Sequence, residues 1–311
     1  MFATQSFCVK LFIGDDLMTF VVKNISKKYG EKIAVEDASF ELENPGVLGL
    51  IGTNGAGKTT TIRIILNILK KDEGEVLWDG KKITSRTKNF GYLPEERGLY
   101  PKMNIYKQLL YFASLKNLDL NKTKKEIDYW MKRLEILEYK NKMPNQLSKG
   151  NAQKVQLVIA LLGDPKLLIL DEPFSGLDPV NSETLKSIIN ELVDKGKYII
   201  FCSHQMQMVE QFCEQIVIIN NGKIVKQGNL KKIKDSYPVN KILLETKDDI
   251  TKVLEKYKYE KKKDEYIIEI GKTKNQLLQE LLDNNIDIEK FNLIRPNLQE
   301  IFIESVKGDK I

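Results

Sequence analysis

A glycine-rich stretch that ends in lysine and threonine lies between a predicted strand and a predicted helix. It follows the pattern G-x-x-x-x-G-K-[ST] and consists of Gly52, Thr53, Asn54, Gly55, Ala56, Gly57, Lys58 and Thr59. The apolar run Gly46–Ile51 predicts a buried strand before it, and the spacing of Thr60–Leu66 predicts a helix after it. Glycine permits positive φ, so successive N–H groups and the start of the helix can face one anion. The stretch therefore predicts a phosphate-binding loop.

Two side chains of this loop predict the kind of ligand. Lys58 is expected to reach the β- and γ-phosphates of a nucleotide, and the Thr59 hydroxyl is expected to hold Mg²⁺. Thr60, at the start of the helix, is expected to contact the nucleotide as well. The loop predicts nucleotide binding but by itself leaves kinases, GTPases and motor proteins open.

An acidic pair follows a second buried strand. The apolar run Leu167–Leu170 is typical of a parallel sheet, and Asp171 and Glu172 come directly after it. Ligands of open α/β sheets bind at the carboxyl ends of the strands, and carboxylates are rarely buried without a partner. We expect Asp171 to hold Mg²⁺ through water and Glu172 to polarise the water that attacks the phosphate.

The only histidine of the chain, His204, ends the next predicted strand, Tyr198–Ser203. A single histidine in a protein is more often structural than catalytic. This one, however, ends a core strand one structural unit after the acidic pair, and its imidazole can donate or accept a proton near neutral pH. We therefore expect His204 to take part in the reaction.

Two further residues are expected to cap helices. Ser148 precedes an apolar helical segment, where its hydroxyl and the neighbouring N–H groups can face an anion, although capping alone would also explain it. Gly150 lies in the first turn of that helix. Asp178 is expected to cap a helix that runs to about Lys195.

Elements around the loop complete the prediction for the first domain. Short strands between Phe20 and Leu42, with a turn at Tyr29, predict an antiparallel flap, and the Tyr29 ring is expected to stack on adenine. The segment Phe90–Pro94 predicts a strand followed by a loop. Helical spacing over residues 100–145 predicts an inserted helical subdomain with a break near Asn117.

The pattern changes beyond a predicted linker at residues 229–239. The order strand, helix, strand, strand, helix, strand predicts a split βαβ sandwich, with helices at Asp249–Lys256 and Thr273–Leu282. A last helix, Asn297–Glu304, is expected to dock on a larger body. The predicted parts are a peripheral extension at 1–17, a first domain at 18–228 and a small α+β domain at 240–311.

Composition limits the class of protein. The chain has 311 residues, 42% of them hydrophobic and 30% charged, with a net charge of +6. These values are ordinary for two soluble domains, and the mild positive charge does not require a nucleic-acid partner. No apolar run approaches the roughly 20 residues that cross a bilayer, so another chain is expected to span any membrane involved. The cysteines Cys8, Cys202 and Cys213 lack metal-ligand spacing and suit a reducing cytoplasm as inert thiols.

In combination these motifs resemble the ATP-binding cassette of ABC transporters. The resemblance covers about Thr19–Gly228 and includes, in the family's order, the phosphate loop, the signature Leu147–Asn151, the pair Asp171 and Glu172, the turn Ser175–Asp178 and His204. It implies an α/β P-loop NTPase with a mostly parallel core sheet, an antiparallel β flap and a helical subdomain. The segment Gly91–Tyr100 and the small ferredoxin-like domain further resemble single-cassette subunits of two-component exporters, including sodium-export-like and drug-export-like systems.

The resemblance also implies partners. Two cassettes would enclose two ATP molecules, with Ser148 and Gly150 of one subunit contacting the γ-phosphate that the other subunit binds, and Asp178 close by. A cassette dimer that hydrolyses ATP with Mg²⁺ is implied, on the cytoplasmic face of the cell membrane, together with a separate membrane-spanning permease. One chain that carries both half-site motifs permits a homodimer, and a heterodimer stays open. No nucleic-acid partner is expected.

Two departures from the family pattern concern the site. Most members have glutamine where this chain has Glu95, which keeps an oxygen for Mg²⁺ or water but adds a charge that Arg97 is expected to offset. The signature has Lys149 and Asn151 where glycine and glutamine are commoner, while Ser148 is retained. Two alternatives stay open at this point: an ABC ATPase that acts on nucleic acid or the ribosome, and a regulatory module that binds ATP without hydrolysing it.

Overall fold

The computed structural model describes residues 19–84, 90–96, 98–238, 241–270 and 274–308 of the chain. Three predictions lie outside these residues: those for the extension 1–17, for Cys8 within it, and for Arg97. No helix among the described residues is long and apolar enough to cross a membrane. Cys202 and Cys213 are free and buried, and burial raises the pKa of both thiols.

The larger body contains ten of the described strands and seven of the helices. The strands are β1 (Phe20–Tyr29), β2 (Lys32–Leu42), β3 (Gly46–Gly52), β4 (Glu73–Trp78), β5 (Lys81–Lys82), β6 (Phe90–Leu93), β7 (Leu167–Asp171), β8 (Tyr198–Cys202), β9 (Gln215–Asn220) and β10 (Lys223–Asn229). The helices are α1 (Lys58–Ile65), α2 (Ile105–Leu115), α3 (Leu120–Arg133), α4 (Lys149–Leu161), α5 (Pro179–Asp194), α6 (Met206–Phe212) and α7 (Leu230–Ser236).

The central sheet has the strand order β10-β9-β3-β8-β7-β6. Its neighbouring strands are parallel except for the β9–β10 pair. Every residue of β3, β7 and β8 is buried, as their continuous apolar sequences predict for strands covered on both faces. Because these three strands are adjacent and parallel, the residues that follow them meet at one edge of the sheet.

The flap is a second, antiparallel sheet with the order β2-β1-β4-β5. Its first two strands are longer than predicted, because the pairing of β1 with β2 continues through several register shifts instead of stopping at each irregularity. The flap joins the central sheet through Trp78, whose ring packs edge-on against Tyr198 with ring centroids 5.2 Å apart. Trp78 pairs with Phe20, so this packing fixes the start of β1 relative to the central sheet.

The inserted helical subdomain forms as predicted. Helix α2 is capped by Asn104 and α3 by Asp119, and the predicted break falls between the two helices. Lys116, in this break, donates hydrogen bonds of 3.0 Å to the carbonyl oxygens of Ile159 and Leu162 at the end of α4. Burial lowers the pKa of Lys116 to about 8. The subdomain is thus bonded to the C-terminal end of α4, the helix that begins within the signature Leu147–Asn151 and is called the signature helix below.

The remaining described residues form β11 (Lys241–Glu245), β12 (Lys258–Lys262), β13 (Glu265–Glu269), α8 (Lys274–Asp283), β14 (Lys290–Ile294) and α9 (Leu298–Gly308). The sheet order β12-β13-β11-β14, with all neighbours antiparallel, is that of the predicted split βαβ sandwich. The predicted helix at Asp249–Lys256 is wrong: residues 251–256 form successive turns. Only Ile250 and Leu254 are fully buried there, so one turn is enough to place both side chains in the core.

Two helices connect this small domain to the larger body. Residues 229–239, predicted as a linker, contain α7, which Asn229 caps. Helix α9 begins with a reciprocal cap, in which the Glu300 N–H bonds the Asn297 side chain and the Asn297 N–H bonds the Glu300 carboxylate. The last helix docks as predicted, on α6 and β10, with Leu298 fully buried.

Candidate functional site

A cleft at the carboxyl edge of the central sheet collects most of the predicted site residues. Its volume is about 1090 Å³, which is ample for a nucleotide because ligand sites usually measure about 300–1,000 Å³. The predicted residues that line it are Tyr29, Gly52, Thr53, Asn54, Gly55, Gly57, Lys58, Thr59, Thr60, Glu95, Asp171, Glu172 and His204. Ala56 is buried beneath the loop, where its N–H bonds the carbonyl oxygen of Thr53.

The phosphate loop is shaped by close backbone packing. Gly57 begins α1 with φ 113°, and a Cβ atom there would lie 2.5 Å from the Ala34 carbonyl oxygen. Only glycine fits that position. The Lys58 ammonium donates to the carbonyl oxygens of Gly52, at 2.7 Å, and Thr53, at 3.1 Å. The loop thus carries one positive charge at the N-terminal end of a helix, which is an arrangement that binds anions.

Tyr29 lies on the flap side of the cleft with half of its surface exposed. Lys32 and Ala34 of β2 line the cleft beside it. An exposed ring at a strand end can stack on a planar base. Tyr29 therefore lies in the cleft, and its contact with adenine stays a prediction.

Asp171 has the electrostatic environment of a cation ligand. Its carboxylate is 3% exposed, and its Oδ2 atom has no hydrogen-bond partner among the described residues. Burial, followed by the charges of Glu95 and Glu172, raises the pKa of Asp171 to about 6. No three His, Cys, Asp or Glu side chains of the described chain form a metal cluster, but Mg²⁺ commonly takes one or two carboxylates together with substrate phosphates. The orphaned oxygen of Asp171 fits such an ion.

We expect Asp171→Asn to stabilise the nucleotide-free protein by about 1–3 kcal/mol, since the raised pKa means that folding disfavours the charged form. The folded pKa lies above the unfolded one, so this cost is present above about pH 6 and disappears below pH 4. Thermal unfolding at pH 7.5 and pH 4 checks it. The control Asp194→Asn, at an exposed aspartate, should leave the melting temperature unchanged. A melting temperature lowered by Asp171→Asn would contradict the expectation.

Glu172 and His204 are in direct contact. The Oε1 atom of Glu172 lies 2.7 Å from His204 Nδ1 and accepts the His204 backbone N–H at 2.8 Å, while Oε2 accepts the Ser203 hydroxyl at 3.1 Å. Glu172 is buried, whereas the imidazole of His204 is 63% exposed. The carboxylate is therefore held in place, and the second ring nitrogen of His204 is the one available to a bound phosphate.

The backbone at Glu172 is held by the signature helix. Gln153 of α4 donates from its amide nitrogen to the carbonyl oxygens of Glu172, at 3.2 Å, and Pro173, at 2.8 Å. Glu172 has φ 51°, in the left-handed region that side chains other than glycine seldom adopt. Such strain persists only where the surroundings enforce it, and it occurs often at active sites.

The signature residues do not line this cleft. Ser148 caps α4 by accepting the Asn151 N–H at 3.2 Å, and it is exposed. Gly150 packs beside Leu177 in the first turn. Asp178 caps α5, and both of its carboxylate oxygens bond Asn181. The two predicted caps are observed. None of these residues lines the cleft around the chain's own phosphate loop, which agrees with a contact to a second subunit, as the resemblance implies.

Several residues of the cleft were missed by the sequence reasoning. Gln205, Met206 and Gln207 follow His204 and line the cleft, and so do Gln299, Phe302 and Ile303 of α9. Gln205, Met206 and Gln207 directly follow His204, a predicted site residue, so their position in the sequence could have indicated them. The α9 residues gave no local signal, because their position depends on how the small domain packs against α6.

Comparison with known proteins agrees with this geometry. The family described as ABC transporter matches residues 35–175, and the family described as ATP-binding protein DrrA1-3-like, C-terminal domain, matches residues 228–306. The ABC transporter ATP-binding protein YhaQ of Bacillus subtilis is 41% identical over 291 residues, covering 92% of this chain and 97% of that protein. The chain belongs to the ABC transporter ATP-binding family.

More distant members of the ABC family are also similar. The lipopolysaccharide export system ATP-binding protein LptB of Haemophilus influenzae is 28% identical, covering 71% of this chain and 95% of that protein. A solved structure of the ATP-binding subunit of an ABC transporter superposes with a TM-score of 0.66 and 31% identity, covering 70% of this chain and 92% of that one. The cassette is thus an ATP-binding P-loop domain, as its sequence motifs predicted.

Proposed function

We propose that this cassette hydrolyses ATP with Mg²⁺ as one half of a homodimer and drives export by a separate membrane-spanning permease. One observation carries the proposal: the phosphate loop, Asp171, Glu172 and His204 share a cleft, while Ser148 is exposed outside it. A nucleotide bound in the cleft would be contacted by this chain on one side only. The exposed start of α4, at Ser148 and Lys149, then has the position and polarity to complete the site of a second subunit.

The chain's own residues divide the chemistry among them. Lys58 neutralises phosphate charge, the second ring nitrogen of His204 contacts the γ-phosphate, and Glu172 accepts the proton of the attacking water. The Thr59 hydroxyl and Asp171 would hold the ion, with Glu95 at the edge of the same cleft. When bound, Mg²⁺ supplies positive charge to the β- and γ-phosphate oxygens. Glu172 is oriented for this role by the hydrogen bonds of Ser203 and His204.

The second subunit is proposed to contribute a helix N-terminus. Helix α4 has 13 residues, and at its start Ser148 and Lys149 are exposed, whereas Gly150 is buried. Helix N-termini carry a partial positive charge that attracts phosphate. ATP between two such chains stabilises the closed dimer, and this stabilisation ends when the γ-phosphate leaves. Asp178 remains a candidate for contact with the nucleotide between the two subunits, because it caps α5 close to the first turn of α4.

Glu95 is proposed to replace the family's glutamine as an oxygen ligand. It lines the cleft, and its charge is the second largest cause of the raised pKa of Asp171, so the two carboxylates are electrostatically coupled. A bound cation would remove that repulsion. The extra negative charge therefore favours a site that holds its cation more tightly than the glutamine version does.

Steady-state ATP hydrolysis by the purified chain tests the central proposal. We expect turnover that requires Mg²⁺ and rises more steeply than linearly with protein concentration, because the complete site needs two chains. Binding of ATP without turnover would instead identify the regulatory module. The relatives reported above are named as transporter subunits, which favours transport over action on nucleic acid.

The proposed permease contact is an aromatic surface on the helical subdomain. Tyr100 lies beside Tyr111 and Phe112, with ring centroids 5.8 and 5.9 Å away, and Tyr100 and Tyr111 are 46% and 40% exposed. Tyr100 belongs to the segment that follows Glu95, so this surface is connected to the cleft. Exposed aromatic groups of this kind are typical of protein interfaces.

We expect Tyr111→Asp to abolish co-purification of the permease while leaving ATP binding within twofold, since a charge would be buried in the interface. Pull-down of the co-expressed permease checks this. The matched control is Tyr129→Asp, an exposed tyrosine on α3 outside the cluster. Equal capture by both variants would exclude the aromatic surface as the docking site.

The proposal for export, and for the domain division, rests on the C-terminal part of the chain. Residues 18–228 are proposed as the cassette and 240–311 as a small domain, with α7 between them as a helical connection. The DrrA1-3-like match to this part supports an exporter subunit, and the similar LptB is named as part of an export system. The cassette would then work at the cytoplasmic face of the membrane, held there by its permease.

A further inference from the structure

Helix α6 connects His204 to the C-terminal domain of the same chain. It begins two residues after His204 and is seven residues long, about 10 Å. Val209 and Phe212 are buried in the main core, to which Leu298 of α9 also belongs, and α9 packs against the helix. A helix this short moves as one unit, so its contact with α9 helps to fix the position of His204.

Glu210 is the polar contact between the two helices. Its Oε1 atom accepts the backbone N–H of Leu298, the first residue of α9, at 2.7 Å. The same oxygen accepts the Lys234 ammonium of α7 at 2.9 Å. A carboxylate at a helix N-terminus is stabilised both by the orphan N–H group and by the helix dipole. Glu210 therefore joins α6, α7 and α9 at one atom.

A second ion pair supports the same junction. Asp235, next to Lys234 on α7, pairs with Arg295 in the segment between β14 and α9. Asp235 is thus bonded to the segment before α9, and its neighbour Lys234 is bonded to Glu210, which accepts the first N–H of α9. Glu210 is the member of this junction that belongs to α6, so through it the start of α9 is bonded to the helix that follows His204.

We propose that Glu210 is a positioning residue for ATP hydrolysis, which fixes α6, and with it His204, against the C-terminal helix. The proposal rests on the ATPase function proposed above. The geometry behind it is that Glu210 bonds Leu298, 88 residues away from it in sequence, and lies on the helix that follows His204, which contacts Glu172. The small domain then has a role in hydrolysis within its own chain.

The effect should fall on turnover and not on affinity. The polar partners of Glu210 are Lys234 of α7 and Leu298 of α9, whereas the phosphate loop and Tyr29 lie on β3, α1 and β1. Contacts that matter only when the γ-phosphate is cleaved change kcat, whereas contacts made equally in the ground state change KM. Loosening α6 therefore lowers kcat and leaves KM for ATP nearly unchanged.

The test compares Glu210→Ala with Glu210→Gln and with Glu280→Ala in the untagged full chain. Glu280 bonds Lys256 and Tyr257 inside the small domain, so it serves as a control for general loosening of that domain. We expect Glu210→Ala to lower kcat by about 5–10-fold with KM within twofold. Glu210→Gln, which keeps an acceptor oxygen for the Leu298 N–H, should recover at least half of the lost activity.

A second readout does not depend on activity. His204 is the only histidine of the chain, so its imidazole gives a single set of NMR signals. We expect Glu210→Ala to shift or broaden these signals in the nucleotide-free protein, and Glu280→Ala to leave them unchanged. Unchanged signals in folded Glu210→Ala would overturn the proposal, as would an equal change in both variants.

A double-mutant cycle with His204→Ala separates the possible routes. If Glu210 acts through His204, Glu210→Ala costs less than twofold in the His204→Ala background. Equal losses in both backgrounds, or a loss confined to KM, would instead mean that α9 acts as a wall of the cleft. A wild-type chain that does not hydrolyse ATP would reject the proposed function, while altered His204 signals would still support the link to Glu210.

Discussion

Glu172→Gln should reduce ATP hydrolysis by about 10²–10⁴-fold, the usual contribution of a general base. The amide cannot accept the proton of the attacking water, but it keeps the size of the side chain and an oxygen for the His204 backbone N–H. Binding of ATP should persist because Lys58 and the phosphate loop are untouched. Since hydrolysis ends the dimer, the variant should accumulate as an ATP-bound dimer.

Steady-state turnover, together with size-exclusion chromatography in the presence of ATP and Mg²⁺, measures both effects. Glu183→Gln, at an exposed glutamate on α5, is the matched control and should behave as wild type. Turnover within about tenfold of wild type in Glu172→Gln would reject Glu172 as the base. A variant that lost ATP binding would instead show that the carboxylate contributes to the ligand site and not to proton transfer.

Lys58→Ala and Ser148→Arg should each lower hydrolysis by at least about 100-fold and should restore activity when mixed. Lys58 lies in the cleft, whereas Ser148 lies outside it on the same chain. In a mixed dimer the two defects fall in one site, and the other site has an intact loop from one chain and an intact signature from its partner. About half of the dimers are mixed, each with one intact site, so up to about a quarter of wild-type activity should return.

Equal amounts of the two purified variants, combined before the addition of ATP, check this expectation. Ser114→Arg, which places the same side chain at another exposed serine, should retain full activity alone. Mixtures that stay inactive while each variant folds and Ser148→Arg still binds ATP would contradict a site shared between two chains. Activity of Ser148→Arg alone would show that the signature serine is not needed.

The sequence predicted the core of this fold well because its signals there are local. Continuous apolar runs identify β3, β7 and β8, and a parallel sheet brings their carboxyl ends together without further information. The caps Ser148 and Asp178 were predicted from residue type and position, and both form the expected hydrogen bonds. Motif and fold agree because a phosphate loop requires a strand and a helix at fixed places.

Contacts between distant segments were not predictable in this way. Glu172 and His204 were each expected at the site, but their 2.7 Å contact depends on the pairing of β7 with β8. The cleft-lining face of α9 depends on the packing of a separate domain. The helix predicted at Asp249–Lys256 is wrong for a different reason. Its local spacing is helical, but only Ile250 and Leu254, one turn apart, are buried in the core.

The hydrogen bonds of Gln153 have a consequence for how two nucleotides are used. In the proposed dimer, Ser148 at the start of α4 contacts the partner's ATP, whereas Gln153 on the same helix holds the backbone of Glu172 beside the chain's own ATP. Movement of α4 toward one nucleotide thus alters the base that serves the other. The two sites are then cooperative, and they should show a Hill coefficient above one that falls toward one in Gln153→Ala.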